Sequence, residues 1–321
     1  MKSLRIAIPL FLSVAALAQG GKKVDAELPV YSKVAGPNGK ISSVGSDTLN
    51  NLMTYWGEGY QKLYPNVVVE VEGKGSSTAP PALAEGVAQL GPMSRKMKAE
   101  EIAAFEKKHG FKPLAIGVAL DALAVFVHKD NPIESLTLEQ VDAIFSKTRK
   151  GGFPQNIVTW NDLGLGDEFG RHPISLYGRN SASGTYGYFK EHALFKGDFK
   201  DQVKEQPGSA SVVMGLTEDR YGIGYSGIGY VTSGVRPLPL AEKKGQEAFA
   251  AEMENVLSGK YPLARMLFIY VAKKPNEPLS PAVREFLRFA LSKEGQEIVV
   301  KDGYLPLPAK VAGKQLDLLT N

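Results

Sequence analysis

Leu114–His128 reads LAIGVALDALAVFVH, fifteen residues of almost unbroken apolar character interrupted by one acid, Asp121. Met266–Ala272, MLFIYVA, is its only close counterpart further along the chain. Short apolar runs of this kind, rich in β-branched residues, read as buried strands. No linker divides the chain into two sequential halves. The two runs are therefore expected to be crossovers, in a chain that leaves one unit, builds another and returns. That topology predicts a cleft spanned by two hinges, with one lobe made of residues 19–120 plus 267–321 and the other of 121–266.

On either side, strand patterns alternate with helical ones. Lys40–Val44 and Val67–Glu72 (VVVEVE) read as strands, and Val87–Gly91 as a buried one. Leu49, Leu52, Met53, Trp56, Tyr60 and Leu63 recur at helical spacing until Tyr64-Pro65 ends the pattern. Ser76–Glu85 reads as a short helix with its prolines in the first turn. Ala99–His109 reads as an amphipathic helix closed by Gly110. Beyond the first crossover come a helix over Leu138–Phe145, the turn-rich stretch 151–170, a strand over Ile174–Tyr177, a helix over Thr185–Leu194 and a strand over Gly222–Tyr225. Ser280–Val300 is expected to form one long helix. The alternation predicts an α/β protein with mostly parallel sheets.

The chain has 321 residues, 43% of them hydrophobic, which fits two globular units better than one. It contains no cysteine, so disulfide scaffolds, thiolate nucleophiles and iron–sulfur clusters are excluded. A formal charge of +4 without a Lys/Arg block gives no case for nucleic acid. Residues 1–18 read as a cleavable leader: Lys2 and Arg5, then apolar Ile6–Leu17, then the small-x-small pattern Ala16-Leu17-Ala18. Cleavage before Gln19 removes both cations and leaves +2. With no cysteine to carry a lipid, the mature chain is expected to be soluble outside the cytoplasmic membrane.

Three segments share one chemistry. Ser46-Asp47-Thr48-Leu49, Gly73-Lys74-Gly75-Ser76-Ser77-Thr78 and Arg179-Asn180-Ser181-Ala182-Ser183-Gly184-Thr185 each set small hydroxyl residues at a helix start. Backbone N–H groups there lack internal partners and carry the positive end of the helix dipole, so such junctions suit anions. An ordinary N-cap is the competing reading of each. The third segment adds a guanidinium, Arg179, four residues before Ser183, so one loop can offer a cation and a set of amides to a single oxyanion. Other chemistries fit less well. Gly178–Thr185 has the wrong glycine spacing for a P-loop and no lysine before its threonine. No G-x-S-x-G occurs, and the four histidines have no metal-ligand spacing.

With those segments in this order, the chain from Lys40 to about Pro306 resembles the phosphate-binding components of Pst-type ABC transporters, a family of periplasmic substrate-binding proteins. The resemblance rests on Gly45-Ser46-Asp47-Thr48-Leu49, Gly73-Lys74-Gly75-Ser76-Ser77 and Arg179 through Thr185. It implies a two-lobed periplasmic-binding-protein fold of type II, with two hinge strands and the ligand between the lobes. It implies inorganic phosphate as ligand and a membrane permease as partner, with no enzymatic reaction, no cofactor, no metal and a monomeric state. Carried over by residue, Thr48, Leu49 and Ser76 would bind from one lobe and Arg179, Ser183, Gly184 and Thr185 from the other, with Ser46 and Ser77 as further candidates.

One position departs from the family pattern. Where its best-known members place an aspartate that accepts the proton of hydrogen phosphate, this chain has Ser94, within Gly91-Pro92-Met93-Ser94-Arg95. A serine both accepts and donates, so it cannot reject sulfate by charge. Asp121 is the candidate replacement acceptor, with Arg95 as the cation that neutralises it or joins it at the ligand; a structural ion pair is the alternative for Asp121. Sulfate, molybdate or another tetrahedral oxyanion remains the alternative ligand, and a secreted adhesion or scaffold role the alternative function.

Overall fold

The computed structural model of the protein describes residues 23–320, so the expected leader lies outside the described residues. Among the described residues there are eleven strands: β1 (Gly39–Val44), β2 (Val67–Glu72), β3 (Gly91–Met93), β4 (Leu114–His128), β5 (Leu136–Thr137), β6 (Ser175–Arg179), β7 (Lys204–Gln206), β8 (Gly222–Gly227), β9 (Val235–Pro237), β10 (Leu240–Ala241) and β11 (Ala264–Val271). The helices are α1 (Asn50–Leu63), α2 (Ala79–Ala84), α3 (Ala99–His109), α4 (Leu138–Phe145), α5 (Asp167–Gly170), α6 (Gly184–His192), α7 (Ser209–Glu218), α8 (Met253–Leu257), α9 (Pro281–Ala290), α10 (Lys293–Lys301) and α11 (Ala309–Thr320).

β4 organises the molecule. Its first part, Leu114 to Ala122, pairs antiparallel with β11, while Leu123 to Val127 pairs antiparallel with β8. One seven-stranded sheet results, in the order β3-β11-β4-β8-β6-β7, with β9 also on β4. Because β4 lies between sheets of packing helices, its side chains are buried on both faces almost throughout, which is why its sequence runs apolar without alternating. Helices α1, α9 and α10 cover the part of the molecule that holds β1 and β2, and α7 packs on β4, β6 and β8.

The expected parallel character holds only at the periphery. β1 and β2 pair in parallel, as do β6 with β7 and β6 with β8. At the centre the long strands run antiparallel, because one carries the chain outward and the other brings it back. The strand expected over Val87–Gly91 is instead the short β3, shifted toward Met93. The helix expected over Ser280–Val300 is two helices. Ser292 breaks it by donating its hydroxyl to the Phe289 carbonyl and capping the Gly295 amide. The C-terminal α11 was not anticipated from the sequence.

Candidate functional site

The first loop follows β1. The Ser46 amide donates to the Pro92 carbonyl at 2.8 Å, tying the end of β1 to β3. Gly45 is required for that approach, since a Cβ there would sit 2.2 Å from the Pro92 oxygen. A helical turn over Asp47–Leu49 then buries Thr48 and Leu49. Two tyrosines fix this turn through its carbonyls: Tyr304 donates to Thr48 at 2.7 Å and Tyr230 to Asp47 at 2.9 Å. Both phenols are held well above the ordinary tyrosine range, chiefly by burial, so they act as fixed donors.

The second loop bends at Gly75, whose φ of +119° is a region that disfavours any side chain. The Gly75 amide donates to the Gly45 carbonyl at 2.8 Å, locking the first two loops together. Ser76 then turns its hydroxyl inward, where it accepts the Ser94 amide at 3.0 Å and lies 3.3 Å from the Ser94 hydroxyl. Ser46 donates to the same Ser94 oxygen at 3.0 Å.

The third loop follows β6, which β4 and β8 separate from β3 and β11 in the sheet order. β6 ends at Arg179, and Ser183 caps α6 by accepting the Thr185 and Tyr186 amides. Thr185 is brought to 2.7 Å from Thr48, hydroxyl to hydroxyl. The Ser77 amide donates to the Ala182 carbonyl at 3.1 Å across the same junction. Gly184 sits so close that a Cβ would lie 2.2 Å from the Ser76 hydroxyl oxygen and 2.6 Å from that of Ser94. Thr48, Ser76, Ser94, Ser183 and Thr185 therefore form one buried cluster with Ser46 and Gly184, assembled from the segments that follow β1, β2, β3 and β6.

Arg179 is 1% exposed. Its guanidinium donates to the Ser209 hydroxyl at 2.7 Å and to the Pro207 carbonyl at 3.4 Å, and pairs with Asp47 at 3.1 Å. Its Nε has no hydrogen-bond partner among the described residues. Burial lowers its pKa from the usual arginine value, opposed mainly by the Asp47 carboxylate, yet an arginine remains charged across the physiological range. Sequence reasoning missed Asp47, which stood inside a segment read only for its hydroxyls.

Asp121 and Arg95 are not partners. Arg95 is held by Glu101, with two guanidinium–carboxylate contacts of 2.7 and 2.8 Å, and by the Ser77 hydroxyl at 3.2 Å. Glu101 also accepts the Lys98 amide at 2.8 Å as part of the cap of α3, so the start of that helix claims Arg95. Burial pushes the Glu101 carboxyl up, but these bonds outweigh it and leave the group below its usual range. Asp121 instead pairs with Arg265 at 2.7 Å and accepts the Ile228 amide at 3.0 Å. Its two oxygens are thus committed to structure, as in the alternative reading of this residue.

Arg265 is the second residue the sequence reading missed. Its guanidinium reaches the Ser94 carbonyl at 2.9 Å and the Thr185 hydroxyl at 3.0 Å. A signal was present: one cation opens an apolar strand, directly opposite the one acid of the other long strand.

Residues 31–294 match the family described as the PBP superfamily domain. The phosphate-binding protein PstS of Pseudomonas aeruginosa is 56% identical over 316 residues, covering 98% of each chain. Protein SphX of Synechococcus elongatus is 31% identical over 274 residues, 84% of this chain and 78% of its own. Among solved structures, a phosphate ABC transporter substrate-binding protein from Clostridium perfringens, crystallised with bound phosphate, superposes with a TM-score of 0.71 at 29% identity. That match covers 84% of this chain and 100% of the other.

Proposed function

The chain belongs to the PBP superfamily and, within it, to the PstS phosphate-binding proteins, and we propose that it binds inorganic phosphate and delivers it to the permease of an ABC transporter. The observation that carries the reading is the buried cluster of Thr48, Ser76, Ser94 and Thr185 hydroxyls beside Arg179. A tetrahedral anion with four oxygens needs many convergent donors to replace its hydration shell, and neutral hydroxyls and amides supply them without burying excess charge. Gly184 contributes its helix-start amide in this reading, the Leu49 and Ser183 amides being taken by the Ser46 and Asn180 carbonyls at 3.2 and 3.1 Å, and Ser46 and Ser77 orient their neighbours.

Two lobes, 19–120 plus 267–321 and 121–266, close around the ligand. The change of partner along β4 between Ala122 and Leu123, and the return of the chain at Ala264, support hinges near those boundaries. Closure creates the surface a permease recognises, and opening releases the ion. The protein acts in the periplasm as a monomer, after loss of its leader, and binds without performing a reaction.

A second ligand reading rests on Ser94. With Asp121 committed to Arg265 and Ile228, neither of these two residues offers a free carboxylate to a protonated anion, so sulfate, which has no proton to give, competes more effectively than it would against an acidic site. Titration calorimetry of ligand-stripped protein with phosphate, arsenate, sulfate and molybdate decides between these. Melting provides the independent check: phosphate at a hundredfold excess over its Kd stabilises by about 2.7 kcal/mol. A chain that none of the four ions binds or stabilises overturns the reading.

A further inference from the structure

We propose that Arg265 is a positioning residue of the anion site, which fixes the Thr185 hydroxyl as a donor to the bound ion and ties it to the hinge. The inference rests on the cleft being an oxyanion site, as proposed above.

Arg265 opens β11 and is the direct cross-strand partner of Asp121 in β4. It is 5% exposed and Asp121 is fully buried. Asp121 accepts both Nε, at 2.8 Å, and Nη2, at 2.7 Å, on the same oxygen. The remaining reach of the fork is divided. Nη1 donates to the Ser94 carbonyl, next to β3, and Nη2 donates to the Thr185 hydroxyl in the first turn of α6. The Tyr188 ring, one turn further along α6, lies 5.3 Å from the guanidinium carbon and flanks it. One side chain thus holds together the hinge strands, the loop after β3 and the start of α6.

The proton positions follow from donor chemistry. A guanidinium has five N–H donors and no acceptor, so Thr185 Oγ1 must accept from it. The threonine proton is thereby turned away from Arg265, toward Thr48 Oγ1 at 2.7 Å and the space an anion oxygen takes between the two threonines. The same logic holds one step away: Ser94 Oγ accepts from Ser46 and so turns its own proton toward Ser76. Arg265 converts a rotatable hydroxyl into an aimed one. It does so only when α6 is close, so the donor is completed by closure. A lysine at this position keeps the charge but cannot span Asp121, Ser94 and Thr185 with one point-like ammonium.

A double-mutant cycle tests this, with phosphate and sulfate titrated calorimetrically into wild type, Arg265→Lys, Thr185→Val and the double variant. Arg265→Lys is expected to weaken anion binding about 10- to 100-fold, the range for a hydrogen bond to a charged group. In the Thr185→Val background the same change should cost no more than about twofold, because the hydroxyl it orients is gone. An Arg265→Lys protein that binds like wild type, or a loss undiminished in the Thr185→Val background, overturns the proposal while leaving the oxyanion reading intact. Wild-type protein that takes neither ion overturns both. Should Arg265→Lys fail to fold, Asp121→Asn replaces it in the cycle, with the same expected coupling and the same disproof.

Discussion

The Asp47 carboxylate lies 3.1 Å from the Arg179 guanidinium and, with the same oxygen, accepts the Ser209 amide at 2.8 Å. Asp47 thereby caps α7 from the loop after β1, in place of Gly208, which has no side chain to do so. The N-terminus of that helix and the site arginine are both satisfied by a residue from the first loop.

Replacing Asp47 by Asn should destabilise the ligand-free protein, because it leaves the buried Arg179 charge without its partner. The cost is expected near the lower end of about 3–5 kcal/mol, since Asp47 keeps 21% of its side-chain exposure. Chemical denaturation with and without phosphate checks this. Saturating phosphate should restore more stability to the variant than to wild type, because the anion supplies the missing negative charge.

Gly184→Ala should abolish closure. Its Cβ would meet the Ser76 and Ser94 hydroxyl oxygens at 2.2 and 2.6 Å, well inside contact distance. Secondary structure by circular dichroism should match wild type, while the phosphate-induced rise in Tm disappears. A variant that still binds as tightly as wild type would show that the two sides of the site do not need this approach.

Phosphate binding should tighten as pH rises through the second ionisation of the ligand. The hydroxyls of Ser94 and Thr185 already accept from Ser46 and Arg265, so they meet the ligand as donors, and each proton removed from phosphate gives them a further acceptor. Sulfate, fully ionised throughout, should show little change. Calorimetry of both ions on either side of that ionisation provides the comparison.

Asp302 supplies a pH dependence of stability. Burial pushes its carboxyl up to about 7, and its Oδ2 is buried without a hydrogen-bond partner among the described residues. Unfolded, the same group titrates near 4. The folded protein therefore binds the extra proton between these values, and stability falls as pH rises through that window. Asp302→Asn should match wild type at about pH 4 and melt progressively higher than it up to about pH 7, with a constant gap above. A gap that does not vary with pH would assign the effect to packing.

What the sequence made legible was local. β4 announced itself by an apolar run buried on both faces, and the three hydroxyl loops by the residue types that start helices. The strand direction at the centre was not legible, because whether β11 runs with or against β4 depends on the route of the chain between them. Nor was the partner of Arg179 or of Asp121. Arg95 is claimed by Glu101 in the cap of α3 and Asp121 by Arg265 across the sheet, pairings that only the positions of these residues in the fold decide. The break at Ser292 was hidden for a different reason: apolar periodicity continues across it, and a single serine side chain makes the interruption.

The threefold reach of Arg265 also dictates when the site comes into being. Thr185 meets Thr48 across 137 residues, and Arg265 meets Ser94 across 171. Contacts so distant along the chain form late and slowly. A chain still emerging, whether from a ribosome or through a membrane pore, carries the first two loops long before the strand that completes them. The set of contacts at the oxyanion site is thus incomplete until the chain extends past residue 265.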